Sequence, residues 1–215
     1  MSKAAPDPDK IVALRADDPR FWLEQGQRLL LRERPLDAGR CFDQALDAAP
    51  GDLGALNAKA RNHLSMGELE PALELLEHAC TLDEDVAEIW NNRGVAQARN
   101  GDTEAAMDSF ARALELEPDA AGVLCNRAMA LVGDGQHERA LVDLSDAVLH
   151  SPHCITSWSA KGATHLRVGQ LRMARHAFQQ AARLSWTLGA PKRNGLSLMI
   201  MAGAIGVAVR LYSER

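Results

Sequence analysis

The 215-residue chain is poor in aromatics, with four Phe, four Trp and one Tyr. Strands of an all-β sandwich draw on aromatic and β-branched residues, so that class is disfavoured. Cysteine is also scarce. Cys41, Cys80, Cys125 and Cys154 lie 29 to 45 residues apart with no CxxC pair. They read as buried or free thiols of a reduced compartment rather than a disulfide framework. No GxxxxGK[ST], GxGxxG or GxSxG occurs. No Ser-His-Asp or Cys-His arrangement has supporting local sequence, so the chain is not expected to be an enzyme and needs no cofactor. The start, MSKAAPDPDK, has no apolar stretch of the secretory kind, so the expected location is the cytoplasm or a membrane face turned toward it.

Acidic residues are nearly missing from one end. Residues 151–215 hold nine Lys or Arg and the single acid Glu214, a net charge of +8, while residues 1–150 carry −13. Such asymmetry means that the two ends face different surroundings. The basic third lacks the aromatic or glycine-rich elements of common RNA modules, so no nucleic-acid partner is expected.

What the chain does have is alanine, 36 residues of it, and a hydrophobic share of 47%. That suits close-packed helices. The alanines fall on a 34-residue period in blocks beginning at Pro19, Leu53, Ala87, Ala121 and Ile155. Position 20 is Ala38, Ala72, Ala106, Ala140 and Ala174, and position 27 is Ala45, Ala79, Ala113, Ala147 and Ala181. Position 4 alternates as Trp22, Leu56, Trp90, Leu124, Trp158; position 8 as Gly26, Ala60, Gly94, Ala128, Gly162; and position 24 as Phe42, Leu76, Phe110, Leu144, Phe178. The alternation hints at a duplicated 68-residue unit.

Each block reads as two amphipathic helices, A over positions 1–14 and B over positions 18–31. Gly67, Gly101, Gly135 and Gly169 at position 15 suit the positive φ that closes helix A. Small residues at positions 8, 20 and 27 allow close helix approach, and the large residue at position 4 is expected to fill the hole between repeats. Pro50, Pro118 and Pro152 at position 32 end helix B. Repeat 1 departs, with Glu33 at position 15 and Pro35 at position 17, so its turn is expected to differ. Trp186 replaces the position-32 proline of repeat 5, which should leave its B helix differently.

This set of positions resembles the tetratricopeptide repeat (TPR) family. The resemblance covers residues 19–188 as repeats 19–52, 53–86, 87–120, 121–154 and 155–188, after an N-terminal tip and short cap helix over residues 1–18. It implies an all-α, right-handed α-solenoid of five helix pairs whose A helices line a concave groove. The activity it implies is non-enzymatic: a scaffold or adaptor that holds a peptide or helix of another protein. Carried onto this chain, the groove comprises Asn57, Arg61, Glu88, Asn91, Asn92, Val95, Arg99, Asn126, Met129, Ser159 and Arg167. Asn92 and Asn126 share position 6 of successive repeats and look like a piece of an asparagine ladder. Their amides can grip an extended peptide backbone, or bond within the array. Arg61, Arg99 and Arg167 can pair with acidic partner side chains, or stand solvated. The family's carboxylate clamp for chaperone tails needs Lys at 5 and Asn at 9, then Asn at 6, then Lys at 2 and Arg at 6, and no window of this chain matches it.

Two other features have plain readings. His150-x-x-His153-Cys154 spans the loop after repeat 4, and without a second ligand cluster it reads as a polar loop, with no metal expected. His63 and His165 share position 11 and read as packed histidines rather than ligands or pH switches. The chain's last part, residues 189–215, is a basic linker followed by LSLMIMAGAIGVAV at 196–209. A helix there is apolar all round and must be buried. Three burials fit: against its own repeats, in a homo-oligomer, or in a membrane through Leu196 to Tyr212. The last would make the protein a C-terminally anchored TPR assembly or recruitment factor.

Overall fold

The computed structural model describes residues 18–187. Among these residues there are ten helices and no strand: α1 (Pro19–Leu30), α2 (Pro35–Ala48), α3 (Leu53–Met66), α4 (Leu69–Leu82), α5 (Ala87–Asn100), α6 (Thr103–Leu116), α7 (Ala121–Gly133), α8 (His137–His150), α9 (Ile155–Arg167) and α10 (Leu171–Thr187). The all-α solenoid pattern of alternating A and B helices is present. Each B helix opens at position 17, one residue ahead of the register read from the sequence. The expected cap helix before residue 18 and the apolar segment 196–212 lie outside the described residues.

The chain divides between Asn100 and Gly101 into two compact units. In the first, α1 pairs with α2 and α3 with α4; α2 meets α3, α4 meets α5, and the A helices α1, α3 and α5 touch in succession. In the second, α7 pairs with α8 and α9 with α10; α6 meets α7, α8 meets α9, and the A helices α7 and α9 touch.

Local chemistry sets the helix ends. Asp18, Asp52 and Asp102 cap α1, α3 and α6, their side chains accepting from the N–H groups of Arg20, Ala55 and Ala105. Each leaves fewer orphan donors at its helix start. Gly67, Gly101, Gly135 and Gly169 all have positive φ, between 76° and 92°. Glu33 in repeat 1 keeps the same sign at 57° and is the one non-glycine residue to do so among the described residues. Its turn closes as the glycine turns do: the Arg34 N–H donates to the Leu29 carbonyl at 3.0 Å, as Glu68 does to His63 at 3.0 Å and Gln136 to Leu131 at 2.8 Å. Repeat 1 therefore keeps the turn and holds Glu33 in a left-handed conformation that disfavours a side chain. At the other end, α10 runs 17 residues against 14 in α2, α4, α6 and α8. Trp186 stands inside it where a proline would have broken it.

All ten position-20 and position-27 alanines are fully buried, each at 0% exposure. The alternation at positions 8 and 24 has a steric cause. A Cβ placed on Gly26 would stand 2.3 Å from Phe42 Cε1, and one on Gly162 would stand 2.9 Å from Phe178 Cδ1. The ring occupies the space of the missing methyl. Repeats with Ala60 or Ala128 carry the shorter Leu76 or Leu144 at position 24 instead. Position 4 is more divided than expected. Leu56 and Leu124 are buried, but Trp22, Trp90 and Trp158 are only half-buried. The indole N–H of Trp90 donates to the Glu84 carbonyl at 2.8 Å, and that of Trp158 to the Pro152 carbonyl at 2.9 Å. Trp90 and Trp158 thus tie down the preceding inter-repeat loop, because even a half-buried indole needs a partner for its N–H.

Candidate functional site

In the first unit, α3 and α5 bring together seven of the eleven expected groove residues. Asn57, from α3, is buried. Asn92 Nδ2 donates to Asn57 Oδ1 at 2.7 Å, and Asn91 Nδ2 reaches Asn92 Oδ1 at 3.4 Å. Asn92 thus spends one donor and one acceptor within the array and keeps a second N–H and a second lone pair. Arg61 and Glu88, both exposed, form an ion pair at 3.2 Å between the two helices. Arg99 Nη1 donates to the Leu64 carbonyl at 2.6 Å, capping the C-terminal turn of α3 with positive charge. Val95 lies half-buried.

The second unit presents the other four from α7 and α9. Met129 is 51% exposed, an unusual degree for that side chain. Asn126 is half-buried and Arg167 is exposed. Ser159 Oγ donates to the Ile155 carbonyl one turn back at 2.8 Å.

A second recurrent polar position escaped the sequence reading. Position 7 is Lys59, Arg93, Arg127 and Lys161, each 34 residues from the last. Lys59 pairs with Asp43 at 2.7 Å and Arg93 approaches Glu77 at 3.9 Å, both acids at position 25 of the preceding repeat. Arg93 also lies 5.2 Å above the Trp90 ring, and Lys161 lies 5.7 Å from that of Trp158. Ala111 occupies position 25 before Arg127, and Arg127 instead grips Asp143 of α8 with two bonds of 2.8 Å. That hydrogen bonding raises the Arg127 pKa despite burial. An open cleft of about 400 Å³ lies there, lined in part by Met107, Ala111, Arg127 and Val142. The 34-residue recurrence of cations was the signal in the sequence that could have revealed this row.

Both position-11 histidines are packed, as read from the sequence. The His165 ring N–H at Nδ1 donates to Gln170 Oε1 at 2.7 Å, and His63 contacts Glu68 in the same relation. Burial lowers the His165 pKa below its ordinary value, because a charged ring loses hydration there. Burial likewise raises the Cys125 thiol, which sits near Ser157 and Cys154. At the last residue of α8, His150 lies 3.6 Å from Asp119, while beyond it Cys154 Sγ accepts from Ser157 Oγ at 3.2 Å. Among the described residues no three His, Cys, Asp or Glu side chains gather as metal ligands, and no helix is long and apolar enough to cross a membrane.

Comparison with known proteins points one way. A tetratricopeptide repeat family model matches residues 87–120, the third 34-residue block, and a second TPR repeat model matches 61–101. No enzyme family is among these matches. No curated protein matches in sequence. Among solved structures, the chain is similar to TTC0263, a thermophilic TPR protein of Thermus thermophilus, at 23% identity and a TM-score of 0.77, covering 87% of this chain and 99% of that one. PilW, a type IV pilus biogenesis factor, matches at 19% identity and 0.71, over 91% of this chain and 92% of the other. YrrB, a TPR protein with an unusual peptide-binding site, matches at 16% and 0.57, over 91% and 97%. At these identities the structures testify to the fold, and the family models to the repeat. With alanines at 0% exposure at positions 20 and 27 in all five blocks, the chain is a tetratricopeptide repeat protein.

Proposed function

We propose that this TPR protein is a non-enzymatic adaptor of the cytoplasm that holds a peptide or helix of another protein against its A helices. TPR proteins are generally interaction scaffolds, and YrrB, of like fold, has a peptide-binding site. The observation that carries the reading is the amide row of Asn57, Asn92 and Asn91 beside the exposed Arg61 and Glu88. The hydrogen bonds already made preset the Asn92 amide, and its unused N–H and lone pair suit an extended backbone. Arg61 and Glu88 flank it with charges of opposite sign that can exchange each other for a partner's side chains.

The test is selection of peptides from a displayed random library on the full chain. The selected peptides should bind Arg61→Ala and Glu88→Ala chains at least about tenfold more weakly, on the scale of interface hot spots. They should bind a Glu74→Lys chain, altered on the B helix α4, as they bind the parent. If the α4 change abolishes binding and the A-helix changes do not, the reading is wrong.

A second reading, recruitment to a membrane through Leu196 to Tyr212, rests on the charge of the chain's end. Neither α9 nor α10 contains an acidic residue, and together they carry Lys161, Arg167, Arg172, Arg175 and Arg183.

A further inference from the structure

The exposed face of α10 is chemically unlike the others. Arg172, Arg175, Gln179, Arg183 and Trp186 follow one another at steps of three or four residues, so they form one stripe along the helix. All five are exposed, and Trp186 is 83% exposed. Arg172 and Arg175 make no ion pair among the described residues. On the earlier B helices the same register is covered or mixed. Position 21 is Gly39, Leu73, Met107 and Leu141, all half-buried, where α10 has the exposed Arg175.

A terminal repeat needs a polar outer face for solubility, but solubility is met by charges of both signs and gives no reason to leave a tryptophan in water. A single-sign stripe ending in an indole suits a surface that is anionic at its boundary and apolar just beneath. The indole belongs at such a boundary, with its ring in the headgroup layer. The chain beyond α10 agrees: Lys192 and Arg193 come next, then the fourteen uncharged residues 196–209, then Arg210 and Arg215.

We propose that the Arg172–Arg175–Arg183–Trp186 stripe of α10 is a docking surface for an anionic lipid bilayer. This deepens the membrane-recruitment reading and rests on it in part, but it assigns the contact to the folded repeat rather than to Leu196–Tyr212. The stripe lays α10 along the headgroups, and the arginines hold it there by charge.

The test is flotation of the full chain with vesicles of neutral phosphatidylcholine, and with vesicles containing about 30% phosphatidylglycerol, enough anionic lipid to set up an attractive surface potential. Arg172→Gln with Arg175→Gln, and separately Trp186→Ala, are compared with the parent after melting curves establish that each folds. The parent should partition onto the anionic vesicles, and about 0.5 M salt should weaken that partition by screening. The double arginine change should weaken it about twenty-five-fold, at roughly fivefold per charge, and Trp186→Ala should weaken it as well. Equal flotation of parent and double variant on anionic vesicles overturns the stripe. If that flotation also persists on neutral vesicles and in salt, the anchoring segment alone is the membrane contact and the recruitment reading survives. No flotation on either vesicle overturns both, and leaves the stripe to an acidic protein partner.

Discussion

Replacing Gly26 by alanine sets two effects of known sign against each other. Alanine is favoured over glycine in a helix interior by roughly 1 kcal/mol. The new methyl, however, would stand 2.3 Å from Phe42 Cε1 and 2.8 Å from its Cδ1 and Cζ. Phe42 is fully buried, so the ring has no solvent to swing into. Overpacking of this kind costs about 1–3 kcal/mol, occasionally more. The close approach puts Gly26→Ala in the upper part of that range, so the net loss should be about 1–2 kcal/mol once the helix gain is subtracted. Gly162→Ala, with its nearest ring atom at 2.9 Å, should cost less.

The second arm is the rescue. Phe42→Leu alone opens space and should itself destabilise, by about 1 kcal/mol or more. Combined with Gly26→Ala it recreates the Ala60/Leu76 and Ala128/Leu144 pairs of repeats 2 and 4. The double variant should then be more stable than the sum of the singles predicts, with a coupling of about 1–3 kcal/mol. Urea unfolding of the four chains, followed by far-UV circular dichroism, measures the cycle. Additive singles, or a stabilising Gly26→Ala, would refute the claim that ring and glycine are one steric unit.

Three further outcomes follow from particular contacts. Glu33→Gly should raise stability by about 1 kcal/mol by relieving the left-handed strain at φ 57°, seen as a higher Tm; an unchanged or lower Tm would mean that the turn tolerates a side chain without cost. Asn92→Ala should cost about 1–3 kcal/mol because it strips the buried Asn57 carbonyl of its donor; denaturant unfolding checks this, and it warns that lost binding in that variant need not come from a lost ligand contact. His165 has a lowered pKa in the fold, so the unfolded chain takes up the proton first. Its contribution to stability is complete above the unfolded-state value near pH 6.5 and declines as pH falls below that. Stability measured from about pH 8 down to about pH 5, a range that brackets that value, should therefore fall less steeply in His165→Gln than in the parent.

Much of this is legible in the residues alone. A 34-residue period with alanine at two positions in every block encodes helix pairs because only a small side chain fits where two helix axes converge, and the constraint repeats with the unit. The glycine turns were legible for a similar reason, since φ above zero is cheap only for glycine. Glu33 was misjudged because a turn held by neighbouring hydrogen bonds can absorb strain that a local rule forbids. The large residue at position 4 was legible as a filler between repeats, but the carbonyls that the indole N–H groups of Trp90 and Trp158 reach were not, because the sequence shows size and not that partner.

The candidate groove was half legible. Its residue types followed from the family resemblance, but the sequence did not say that Asn92 would bond to Asn57, or Arg61 to Glu88, since each of those pairs joins different repeats. The row at position 7 shows the same division. Its four cations are a sequence fact, yet whether each meets an acid depends on the preceding repeat, and Ala111 sends Arg127 to Asp143 instead. Sequence determined the repeat, its period and its four glycine turns, because those rest on sterics within about 34 residues. Tertiary structure decided which polar groups are spent inside the array and which stay exposed, because that choice depends on distances between helices that no single repeat contains.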